Sequence, residues 1–128
     1  MLDGAHNPDG ATALKVSLEN EFNYDHLILV WASMADKDIN ATLMQIAPLA
    51  EHIIFTKPDE ERSANPESLK KLLPNNLQHN SECINPVDLA IVRAKDLHRQ
   101  GSLICVAGSL YLVGKARQIL CGELVSDE

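Results

Sequence analysis

What this sequence is short of narrows it quickly. It has no apolar run approaching the roughly 20 residues that a membrane-spanning helix needs, and its start lacks the charged-then-apolar order of a secretory signal. No basic stretch is longer than Lys70-Lys71, and 11 Lys plus Arg stand against 18 Asp plus Glu, a net charge of −7 that disfavours nucleic acid as a partner. The three cysteines, Cys83, Cys105 and Cys121, are odd in number and widely spaced, which fits neither a disulfide framework nor a CxxC metal site. Five histidines show no HxH or HxxxH spacing, so no metal site built by the protein is expected. A GxxxxGK(S/T) phosphate loop is missing too. No internal repeat or low-complexity segment interrupts the chain. These absences leave a cytoplasmic domain with no nucleic-acid or membrane partner.

What is present is a core. A chain of 128 residues with 45% hydrophobic content can bury one. The runs His26 to Ala32 and Leu103 to Ala107 are continuously apolar rather than alternating, as expected of parallel strands covered on both faces. His52 to Thr56 reads as a shorter strand, Cys83-Ile84 as a brief edge strand, and Met1-Leu2 as the tail of another. Helical periodicity lies between them: Ala11, Leu14, Leu18 and Phe22; Ile39, Leu43, Ile46 and Ala47; Leu69, Leu72 and Leu73; Val87, Ala90, Ile91, Ala94 and Leu97; then Leu112, Val113, Ala116 and Leu120. Asn7-Pro8 and Asn65-Pro66 each pair a capping side chain with a residue that has no N–H to orphan, which marks two helix starts. Asp36 or Asp38 is the expected cap of the second helix, and Pro48 its end. Asn75 to Glu82 reads as a polar surface loop. Gly101 and Gly122 are expected to stop the last two helices, with residues 123–128 a disordered tail. Strand and helix alternate, which predicts one α/β domain over 1–122: a Rossmann-like, mainly parallel sheet with helices on both faces.

In such a sheet the loops leaving the carboxyl ends of the strands form the ligand edge. Asp3 and His6 fall on the first of these loops, directly before a helix N-terminus that favours an anion. Their plain alternative is a solvated turn. Lys37 lies between Asp36 and Asp38 on the second loop, where a capping box with a solvated lysine is the simpler reading. Arg62 follows Asp59, Glu60 and Glu61 on the third; its planar fork suits a carboxylate or phosphate, and equally a surface ion pair. Gly108-Ser109 allows close backbone approach at a helix start, or is simply a Ser cap.

The run Leu2-Asp3-Gly4-Ala5-His6-Asn7-Pro8 resembles the motif that opens the C-terminal domain of folylpolyglutamate synthase/dihydrofolate synthase, a Mur-ligase relative. Asp36-Lys37-Asp38, Thr56-x-Pro58 with Arg62 and Ala64, and Gly108-Ser109-Leu110-Tyr111 follow in the same order across nearly the whole chain. The resemblance implies an ATP-dependent carboxylate–amine ligase that adds L-glutamate to folate or dihydropteroate through an acyl phosphate. It also implies that ATP and Mg2+ are held mainly by a preceding central ATPase domain, over which this domain closes. By that likeness Asp3 is a contact to ATP, the cofactor. His6 is the catalytic candidate beside the reacting centre, and Ser109, Lys37 and Arg62 are substrate contacts. The family's upstream strand and arginine precede the motif and are not in this chain, so an excised fragment, inactive alone, is expected. Two other readings stay open: a Mur-type peptidoglycan ligase domain, and a free-standing α/β module that binds a nucleotide or small anion.

Overall fold

The computed structural model describes residues 1–35, 38–59 and 61–126, with 122–126 described as helical backbone only. Asn7 fixes where the chain first turns helical. Its backbone is extended, its side chain accepts from the Gly10 amide at 2.8 Å, and Pro8 follows, so α1 runs Pro8–Asn20. Ala11, Leu14 and Leu18 form its buried face. Phe22 does not extend that face: the Glu21 amide closes the last turn on Ser17, and Phe22 beyond it is 39% exposed.

The chain continues as β1 (His26–Trp31), α2 (Ile39–Ile46), a 3-10 turn (Ala47–Leu49), β2 (His52–Phe55), α3 (Pro66–Leu72), α4 (Asn75–Gln78), β3 (Ser81–Cys83), α5 (Val87–Leu97), β4 (Ser102–Ala107) and α6 (Leu110–Ser126). The four strands form one parallel sheet in the order β3-β2-β1-β4. Leu2 adds a parallel bridge to Val106 on the outer side of β4, so Met1-Leu2 is indeed the end of a strand.

Alternation along the strands sorts the core into two layers. Leu27, Leu29 and Trp31 of β1 pack with Ile53 and Phe55 of β2 under α1, α2 and α3. Ile28, Val30 and Ile54 point the other way, against Val87, Ala90, Ile91 and Ala94 of α5 and Leu112 and Ala116 of α6. A strand apolar on both sides is what the unbroken run predicts. Cys105 is buried within the first layer, and burial pushes its thiol up to about 12, which makes it an inert small hydrophobe.

Three expectations need correction. Asn75 to Glu82 is not a loop: it folds as α4 and β3, because pairing Ile53, Ile54 and Phe55 with Ser81, Glu82 and Cys83 supplies the ordering that polar composition hides. Neither glycine ends its helix: α5 stops at Leu97, before Gly101, and the last helix runs on past Gly122 to Ser126, so residues 123–126 are helical rather than a disordered tail. Asp38 occupies the cap position of α2 without a capping hydrogen bond from its side chain, and Asp36 lies outside the described residues.

The sheet order defines the functional edge. From β1 the chain builds β2 and then β3 on one side, then returns through α5 to place β4 on the other. The loops after β1 and β4 therefore lead to helices on opposite faces, α2 and α6, and open a crevice between them.

Candidate functional site

Four of the strand-to-helix loops are tied in two pairs by backbone hydrogen bonds. The first is held to β4: Val106 donates to the Met1 carbonyl at 2.8 Å, Asp3 to Val106 at 3.0 Å, and Gly108 to Ala5 at 2.9 Å. Loops after β1 and β2 are joined by an antiparallel bridge between Met34 and Ser63. Ala35 donates to the Arg62 carbonyl at 2.6 Å and Ala64 to that of Ser33 at 2.7 Å. The Ser63 hydroxyl is buried beside this bridge with no hydrogen-bond partner among the described residues.

Within the first loop, Asp3 Oδ1 accepts from the Ala5 amide at 2.8 Å, an Asx turn that fixes the carboxylate at the strand end. His6 is exposed, and its Nδ1 sits 2.7 Å from the Gly4 carbonyl, which orients the ring and leaves Nε2 outward. Both residues line a cleft of about 290 Å³ along the first turns of α1, with Asn7, Gly10 and Ser17. The Asn7 side chain occupies the Gly10 amide, and Asp9 places a negative charge in the same turn. The free positive end of this helix is therefore partly spent before any ligand arrives.

A smaller cavity of about 70 Å³ lies in the crevice between β1 and β4, lined by His6, Ser33, Thr42 and Gly108 among others. Met34 and Ile39 complete its lining, so it is a mixed and mostly apolar cavity with room for a water beside its few polar groups. Gly108 makes this crevice possible. At φ +100° a Cβ there would lie 2.2 Å from the Ala32 carbonyl oxygen and 2.6 Å from the Trp31 ring. Trp31 in turn donates its indole N–H to the Ser33 hydroxyl at 2.7 Å, a buried bond.

The structure places the remaining expected residues less uniformly. Ser109 is only 1% exposed, and its hydroxyl oxygen accepts from the Tyr111 and Leu112 amides at 3.2 and 3.3 Å. It caps α6, and only its proton is left to offer a ligand. Arg62 is exposed on the loop after β2. Lys37 lies outside the described residues. Among the described residues no group of three His, Cys, Asp or Glu side chains is disposed to hold a metal ion.

Among the described carboxylates, the perturbed ones lie at the opposite edge. The Arg99 guanidinium bonded to Glu51, with His26 beside it, holds that carboxyl below its usual range. For Glu82 burial pushes upward but is outweighed by hydrogen bonds from Arg93 and His52, and the net shift is downward. These are ion pairs that close the amino ends of the strands, remote from the crevice.

The family described as Mur ligase, glutamate ligase domain matches residues 1–110, from the Asp3 loop through Gly108-Ser109. The chain belongs to that family. Among its relatives, a probable bifunctional folylpolyglutamate synthase/dihydropteroate synthase of Haloferax volcanii is 34% identical over 117 residues, 91% of this chain and 14% of that one. The dihydrofolate synthase/folylpolyglutamate synthase of Mycobacterium tuberculosis is 25% identical over 133 residues, 93% of this chain and 27% of that one. The crystal structure of Mycobacterium tuberculosis folylpolyglutamate synthase complexed with ADP and AMPPCP superposes with a TM-score of 0.83 at 26% identity, covering 91% of this chain and 28% of that one. This glutamate ligase domain thus spans between about a seventh and about a quarter of the relatives it matches.

Sequence reasoning singled out this edge and missed one feature beside it. The Trp31–Ser33 bond is invisible in a run that reads only as apolar.

Proposed function

We propose that this glutamate ligase domain is the closing domain of an ATP-dependent amide ligase that adds L-glutamate to a folate or dihydropteroate. The observation that carries this reading is the bond from Gly108 to Ala5. It locks the Asp3–His6 turn to the Gly108-Ser109 turn, so that groups from both loops reach one crevice. Family membership and the names of the relatives support the same substrate class.

The chemistry is a transfer in two steps. The substrate carboxylate takes the γ-phosphoryl group of ATP and releases ADP; the glutamate amine then attacks the acyl carbon, phosphate leaves, and the amine gives up a proton. Asp3, fixed by the Ala5 amide, holds ATP from the α1 side of the edge. His6, with Nε2 outward beside the 70 Å³ cavity, stands at the reacting centre and takes up the amine proton. Ser109 donates its remaining proton to a glutamate carboxylate, and Lys37 and Arg62 add positive charge there. The domain's contribution is positioning and charge stabilisation on closure. Mg2+ would come with ATP on the preceding central domain, where it would neutralise the phosphate charge, and no step is assigned to it here. A cytoplasmic setting, where ATP and folates are supplied, fits this reading.

The test is ADP release by the full-length protein that carries this domain, with and without each substrate. Sustained release, beyond one equivalent per enzyme, should require both L-glutamate and a folate or dihydropteroate, and the 128-residue chain alone should release none. Turnover with a peptidoglycan precursor in place of the folate would overturn the assignment.

A further inference from the structure

The Asp3–His6 turn is held on two sides by different means. Toward β4 it is fastened through backbone groups, Gly108 to Ala5 and Asp3 to Val106. Toward α2 it is fastened by a side chain, Gln45. The Gln45 Nε2 donates to the Pro8 carbonyl at 2.9 Å, and its Oε1 accepts from the Thr12 hydroxyl at 2.7 Å. Pro8 is the first residue of α1 and follows His6 by two positions.

Both ends of this amide are in use, and chemistry fixes which end faces which partner. The Pro8 carbonyl can only accept, so the nitrogen must face it and the oxygen is left for Thr12. The Thr12 hydroxyl also lies 3.0 Å from the Pro8 carbonyl, but it has one proton, and the shorter contact to Gln45 takes it. Gln45 itself is half-buried, between Leu43 and Ile46 of the core. Burial alone would be served there by leucine or methionine. Apolar contact is non-directional, whereas a two-ended amide demands one rotamer and one spacing between the helices.

That spacing matters because α2 walls the crevice. Thr42, one turn before Gln45 on the same face, lines the 70 Å³ cavity together with His6 and Ile39. The ring of His6 bonds only within its own turn, to the Gly4 carbonyl, and so cannot by itself hold the turn against α2. We propose that Gln45 is a positioning residue of this site: by spanning from α2 to the first turn of α1, it fixes where His6 stands relative to the crevice wall. The proposal rests on the reading of the domain as an amide ligase. A displaced His6 then slows proton transfer from the amine, while Asp3 keeps its own bonds to Val106 and Ala5 and ATP binding is spared.

The test uses the full-length protein with Gln45→Leu, Thr12→Val and Thr12→Ser. Gln45→Leu keeps the volume and places a good helix former among apolar neighbours, so the urea midpoint should stay at its wild-type value. Its kcat should fall about ten-fold, a fraction of what a 1 Å misplacement can cost, with the ATP KM within about two-fold. Thr12→Val, which removes one of the two bonds, should lower kcat about three-fold, and Thr12→Ser, which restores the hydroxyl, should recover it. Hydrogen exchange read by mass spectrometry should show the Ala11 and Thr12 amides of α1 exchanging about ten-fold faster in Gln45→Leu, with those around Leu18 unchanged. A Gln45→Leu kcat within about two-fold of wild type, a loss that tracks the urea midpoint, or a Thr12→Val defect that Thr12→Ser retains would overturn the proposal. If the wild type shows no folate-dependent turnover, the ligase reading fails on its own, and hydrogen exchange still decides the clamp. Faster exchange in the first turn of Gln45→Leu supports it; unchanged exchange refutes it.

Discussion

Replacing Gly108 by alanine tests the geometry of the crevice directly. Two costs combine. An L-residue held at positive φ loses about 1–2 kcal/mol, and the new methyl must also displace the Ala32 carbonyl at 2.2 Å and the Trp31 ring at 2.6 Å. Neither neighbour can give easily: the first is backbone, and the second is fully buried with its N–H bonded to Ser33. Overpacking of this kind costs about 1–3 kcal/mol, so the whole change should cost about 2–5 kcal/mol. In a domain whose stability is of order 5–15 kcal/mol, the urea midpoint should fall by about 1 M or more. The assay is built in, because Trp31 is the single tryptophan and lies at the point of collision. Its emission should shift to the red even in the folded variant. Gly114→Ala is the internal control: in open space within a helix it should gain about 1 kcal/mol. A Gly108→Ala protein that loses less than about 1 kcal/mol with unchanged emission would refute the close approach of β4 to Trp31.

Other substitutions separate structure from chemistry. Asp3→Asn keeps an acceptor for the Ala5 amide but removes the charge, so in the full-length enzyme it should fold normally and raise the KM for ATP more than that for glutamate; steady-state kinetics with both KM values unchanged would remove Asp3 from the ATP site. Ser109→Ala should cost about 1 kcal/mol through the lost cap, read by urea unfolding, and should raise the glutamate KM about ten-fold. A lower midpoint with normal KM would leave Ser109 a cap alone. His6→Ala should lower kcat, since its exposed ring caps nothing in α1, and a normal kcat would place the proton transfer elsewhere. For Glu82 the folded carboxyl titrates below its ordinary value of 4.5, so its pairs with Arg93 and His52 stabilise the fold above that pH and lose their effect as pH falls through the lower, folded value. Urea midpoints measured from pH 6 downwards should fall below pH 4.5 in the wild type and fall less in Glu82→Gln.

The legible part of the fold was the part fixed by local chemistry. Asn7 and Asn65 announce their helices because each side chain bonds an amide two or three residues on, at Gly10 and Glu67, within the reach of the sequence itself. Leu27 to Trp31 announces a central strand because both sheet faces must be apolar there. The illegible part was fixed by distant partners. Nothing in Asn75–Gln78 is buried, so α4 leaves no apolar stripe to read, and the three residues of β3 owe their extended form to β2 alone. A Gly at the end of a periodic pattern marks a stop only where the backbone turns left-handed, and Gly122 lies within a helix that continues past it.

The site divides along the same line. Asp3 and His6 were singled out from seven consecutive residues, yet what holds them in place is β4, a hundred residues away in the chain, through Val106 and Gly108. Ser109 is the sharper case. Gly-Ser before a helix reads equally as a ligand cradle and as a cap, and only the burial of the hydroxyl against two α6 amides shows that the cap is made. The two roles need not compete, since a hydroxyl that accepts from the helix has its proton fixed in direction toward whatever lies at the helix start. Capping then becomes the means by which a ligand contact is oriented, provided that closure of a second domain brings the glutamate to it. Under the proposed function an isolated domain shows the cap and none of the chemistry, so the measurements on Asp3, His6 and Ser109 belong to the full-length protein.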